Sequence, residues 1–75
     1  MINEHFLEGV KQELITAIKC YAKRHQMTQT DMALLVGTSQ PRMSDLFRGK
    51  LEKFSVDQLM KWAYDLGINI TLTAI

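Results

Sequence analysis

The chain has 75 residues, a net charge of +1 and one cysteine, which is enough for one small domain, spanning residues 1–75, and too little for two. With 47% hydrophobic and 23% charged residues it reads as globular rather than disordered, and no apolar run approaches the ~20 residues of a membrane span. A core this small supplies roughly 3–5 kcal/mol, so self-association is an expected source of stability and there is little room for an enzyme's substrate cleft.

Cys20 has no partner for an intrachain disulfide, and no signal-peptide pattern opens the chain. Both lead to the expectation of a reducing, cytoplasmic setting. The near-zero net charge conceals an asymmetry. Before Lys19, Glu4, Glu8 and Glu13 face only Lys11. Between Lys19 and Lys53, basic Lys19, Lys23, Arg24, Arg42, Arg48, Lys50 and Lys53 outnumber Asp31, Asp45 and Glu52. Past Lys53 the balance is acidic again. A basic centre fits either a polyanion site or an ordinary solvated surface.

The first element is a helix ending near His25. Phe6, Val10, Leu14, Ile18 and Tyr21 recur at spacings of three and four, flanked by Leu7, Ile15 and Ala22. Asn3 suits the N-cap, and Lys23, Arg24 and His25 suit the negative end of the helix dipole. Gly9 weakens the early turns and predicts a start later than Asn3. Thr28 and Asp31 then form a capping-box pattern ahead of Met32, Ala33, Leu35 and Val36, and Gly37 stops this second helix. Ser39 caps a third helix, with Pro41 tolerated in its first turn. It carries Met43, Leu46 and Phe47 and ends at Gly49. A charged loop, Lys50 to Lys53, leads to Ser55, three residues ahead of Gln58. The fourth helix follows with Val56, Leu59, Met60, Ala63 and Leu66, closed by Gly67.

Residues 68–75 change character: Ile68, Ile70, Leu72 and Ala74 alternate with Asn69, Thr71, Thr73 and Ile75, a strand pattern rich in β-branched residues. A lone strand leaves its ladder groups unpaired, so the expectation is pairing with the same strand of a second copy across a two-fold axis; a frayed tail is the plainer alternative. Leu59, Trp62 and Leu66 form a second stripe on the fourth helix. They are assigned with Ile68, Ile70, Leu72 and Ala74 to a homodimer interface, the alternative being a larger intrachain core.

Two short helices joined around Gly37 make a helix-turn-helix candidate over residues 28–48. Ala33 falls where the helices approach, Gly37 where the turn demands positive φ, and Met32, Val36, Met43 and Leu46 on the facing sides. The third helix otherwise carries Gln40, Pro41, Arg42, Ser44, Asp45 and Arg48, a mostly polar surface able to enter a major groove. A plain helical hairpin with a polar outer face is the alternative. No metal or cofactor is expected: His5 and His25 lack partners at ligand spacing, and no nucleophilic Ser, His and Asp set is recognisable. Cys20 is expected to be a buried or half-buried apolar residue.

Residues 27–50, MTQTDMALLVGTSQPRMSDLFRGK, strongly resemble the helix-turn-helix of the Cro/repressor-like, xenobiotic-response-element family. The continuation LEKFSVDQLM over 51–60 and LGINITL over 66–72 resembles its branch of small antitoxin-type and phage or prophage regulators, which carry a β-strand after the last helix. The likeness runs from about Gln12 to Ile75. It implies a mostly α, four-helix domain with a C-terminal dimerising strand in place of the family's fifth helix.

The same resemblance implies a double-stranded DNA operator as partner. Ser39, Gln40, Pro41, Arg42, Ser44 and Asp45 would be the base-reading set, with Gln40 foremost. Arg42 would meet guanine or phosphate, and Asp45 would accept from cytosine, orient Arg42 or only repel wrong sequences. Gln29, Thr38, Arg48, Lys50 and Lys53 would contact phosphate. An antitoxin that neutralises a cognate toxin is the rival within regulation, and a protein-interaction module without DNA binding is the rival outside it.

Overall fold

The computed structural model describes residues 3–69. Its elements are α1 (Glu4–Arg24), α2 (Gln29–Val36), α3 (Gln40–Phe47), a single 3₁₀ turn (Leu51–Lys53) and α4 (Val56–Asp65). Helix α1 starts where its cap dictates, for Asn3 Oδ1 accepts the Phe6 N–H at 2.8 Å. Gly9 therefore does not delay it. The helix ends without a glycine: the Met27 N–H reaches back to the Ala22 carbonyl at 2.8 Å, and Gln26 takes φ +54° to let it do so. That left-handed conformation is one a side chain adopts only at a cost.

Helix α1 packs mainly on α4, and α2 mainly on α3. Val10, Leu14, Ile15, Ile18 and Ala22 of α1 meet Met32, Ala33 and Val36 of α2, Met43 and Leu46 of α3, and the buried face of α4 in one core. Burial of these side chains is the main favourable term for so short a chain. Leu34 and Leu35 of α2 are exposed, so the apolar run there is wider than the face it buries.

The α4 surface corrects one expectation. Leu59, Trp62 and Leu66 do not form a second, outward face; their exposures are 0%, 3% and 8%, all within this chain. With Ala63 they sit at i, i+3, i+4 and i+7, one stripe about 100° wide, which joins the core that α1 also lines. Met60, expected inside, is exposed, as is Tyr64.

Among the described residues there is no strand. Ile68, assigned to one, instead follows Gly67, whose φ is +74°, and donates its N–H to the Ala63 carbonyl at 3.0 Å. This closes α4, and Ile68 packs half-buried against the core. Ile70, Leu72 and Ala74 lie outside the described residues. Cys20 is exposed rather than buried.

Candidate nucleic-acid interface

Local chemistry sets where α2 starts and stops and where α3 begins. Thr28 Oγ1 accepts the Asp31 N–H, and the Asp31 carboxylate accepts the Thr28 N–H, each at 3.0 Å. This reciprocal box satisfies two N–H groups that the first turn leaves unpaired. At the other end Gly37 takes φ +75° and the Thr38 N–H closes onto the Ala33 carbonyl at 2.9 Å. Two residues later the Ser39 hydroxyl caps α3 by accepting the Arg42 N–H at 3.3 Å. Ala33, Met32 and Val36 pack inward against Met43 and Leu46, as the sequence predicts.

Helix α3 offers solvent a face made of Gln40, Pro41 and Arg48, which are exposed, with Ser44 half-buried beside them. Gln40 Nε2 donates to Gln29 Oε1 at 3.4 Å. The bond joins the first turn of α3 to the first turn of α2, so two residues assigned from sequence to base and phosphate come together. Ser39 and Thr38 lie at the connecting turn, their positions set by the cap and the Ala33 closure.

Asp45 does not stand free on this face. Its two oxygens are taken by Lys50 at 3.5 Å and Lys53 at 3.3 Å. Burial on its own would raise the Asp45 pKa. A hydrogen bond and the charge of Lys53, with the charge and hydrogen bond of Lys50, together outweigh it, and the carboxyl sits below its ordinary range. Asp45, assigned from sequence to the base-reading set, thus ties the loop after α3 back onto the helix. Lys50 and Lys53 remain partly exposed on that loop.

Arg42 also takes a place the sequence did not indicate. Its guanidinium carbon lies 4.7 Å from the centroid of the Phe54 ring and 5.8 Å from that of Trp62. The two rings meet edge to face at 5.7 Å and 67°. Arg42 leans off the outer face of α3 toward the loop and α4, and Phe54 is a residue that sequence reasoning missed. Two α1 lysines were missed as well: Lys19 Nζ donates to the Phe47 carbonyl at 3.1 Å, and Lys11 Nζ to the Leu51 carbonyl at 3.3 Å. They satisfy carbonyls where the chain leaves α3, and no local sequence signal marks contacts so distant along the chain.

No group of three His, Cys, Asp or Glu residues that could hold a metal occurs among the described residues. No described helix is long and apolar enough to cross a membrane. Two capped helices joined by a left-handed glycine, with a polar outer face on the second, define a helix-turn-helix domain. The chain belongs to the helix-turn-helix domain family, which it matches over residues 3–75. No match was found among curated proteins or solved structures.

Proposed function

We propose that this chain is a sequence-specific double-stranded DNA-binding regulator of the Cro/repressor-like branch. In this reading it acts as a dimer that occludes the promoter of the operon it controls. The observation that carries the reading is the hydrogen bond between the Gln40 and Gln29 side-chain amides. Gln40 commits one N–H to Gln29 and keeps one N–H and its Oε1 acceptor. Those two groups are what adenine takes in the major groove, donor to N7 and acceptor from N6–H₂. Gln29, with its oxygen engaged, keeps both N–H donors for a phosphate. Arg48, exposed at the end of α3, adds a contact to the backbone, and such contacts make binding salt-sensitive.

A two-fold dimer would place two copies of α3 in grooves about one helical turn, roughly 34 Å, apart on an inverted repeat. Selection of duplexes from random DNA tests the reading, and an enriched inverted repeat is the expected result. On that repeat Gln40→Ala should lose preference at one base pair, and Arg48→Ala should weaken matched and mismatched duplexes alike. Equal losses on both duplexes for Gln40→Ala would remove it from the base-reading set, and no enriched sequence would refute the reading.

A further inference from the structure

Arg42 is half-buried, and it has no hydrogen bond or ion pair with any other described residue through its guanidinium. The carboxylate nearest it on α3, that of Asp45, has both oxygens committed to lysines. A guanidinium centred 4.7 Å from the Phe54 ring centroid and 5.8 Å from that of Trp62 is held by cation–π attraction, a contact that uses none of its five N–H donors. Both rings are themselves buried, so the shelf beneath the cation is fixed by the core. The arrangement is a partly desolvated charge, held beside two rings, with no anion paired to it among the described residues.

Its position says which anion. Successive residues of a helix step by about 100°. Gln40 therefore faces the α2 side of α3, and Arg42 the opposite flank, where Lys50 and Lys53 also stand. A helix some 10–12 Å across nearly fills a major groove about 12 Å wide, so its two flanks face the phosphates of the two different strands. We propose that Arg42 is a phosphate contact to the strand opposite the one met by Gln29, and that Phe54 and Trp62 are positioning residues holding its guanidinium for that contact. It does not read a base. The inference rests on the DNA-binding reading above and assigns that site a second strand contact.

The test uses the full chain with the selected duplex and a scrambled one, titrated by fluorescence anisotropy at several salt concentrations. Arg42→Met keeps the apolar stem on the shelf and removes the charge. Binding to both duplexes should fall by a similar factor, about tenfold, and the slope of log K against log salt should shrink by about 0.9 per subunit. Arg42→Lys should keep the slope and bind with intermediate affinity, since a lysine retains charge without the planar stacking. Phe54→Leu should likewise keep the slope while binding less tightly. Trp62 is the chain's sole tryptophan, so its emission should change on binding in the wild type and much less in Arg42→Met.

Loss confined to the selected duplex would make Arg42 a base reader and overturn the proposal. An Arg42→Met protein with a lower melting temperature but an unchanged salt slope would show a structural role only, and would also overturn it. A wild type that binds neither duplex overturns this inference and the DNA-binding reading together. A wild type that binds, beside an Arg42→Met variant that binds equally well, overturns this inference alone.

Discussion

Trp62→Ala separates a core tryptophan from an interface one, and the magnitude decides between them. Trp62 is buried inside this chain, where it packs edge to face on Phe54 and lies beside the Arg42 guanidinium. Truncating a buried aromatic of this size costs about 3–5 kcal/mol, and the lost ring pair belongs to contacts worth about 0.5–1.5 kcal/mol beyond area. A core this small supplies roughly 3–5 kcal/mol in all. The variant should therefore be largely unfolded at 25 °C, with weak helical far-UV circular dichroism that added protein does little to restore. Trp62→Phe keeps most of the buried area and the edge contact, so it should remain folded with a lower urea midpoint. An interface residue behaves differently: Trp62→Ala would then stay helical, keep its urea midpoint as a monomer and lose only association. That outcome would refute the placement of Trp62 in the intrachain core.

Three further changes are informative. Gln26→Gly relieves the left-handed residue after α1; the relief of about 1–2 kcal/mol outweighs the roughly 0.5–1 kcal/mol that glycine's freedom costs, so the urea midpoint should rise slightly. Asp45 has a folded pKa below its unfolded one, so its contribution is present above the unfolded value and is lost as pH falls through the folded one. Wild type should therefore lose more stability than Asp45→Asn as pH falls below about 4 in parallel urea melts. Ending the chain after Asn69 tests the proposed dimer: sedimentation should show a monomer that keeps the helical spectrum of α1 to α4, and an unchanged dimer would move the interface off residues 70–75.

Most of the helical frame was legible because its signals are local. Asn3, Thr28, Ser39 and Ser55 each cap the helix expected of them, since a capping hydroxyl or amide acts within three residues. The end of α1 was less legible, because the left-handed position there is filled by Gln26 and no glycine announces it. The face of α4 was misassigned for another reason. Periodicity identifies Leu59, Trp62 and Leu66 as apolar, but only what packs against them decides whether they form one stripe or two. Here α1 packs on α4 while Phe54 and Arg42 close over Trp62, so all three residues join one core.

The candidate site was legible as a polar face of α3, and the contacts its side chains make were less so. Gln40 and Gln29 stand together because both open a helix, and the turn geometry brings two such starts within hydrogen-bond reach. Arg42 and Asp45 occupy a helix whose pattern marks them only as polar. Their partners come from the chain after it: Lys50, Lys53, Phe54 and Trp62. A sequence pattern registers the charge of Asp45 as opposing DNA, yet its ion pairs draw Lys50 and Lys53 to the same side of α3 as Arg42. One acidic residue on α3 thus helps gather positive charge along one flank. The chain's near-zero net charge is compatible with basic side chains clustered on one flank, because Asp45 offsets one charge while it draws two lysines there.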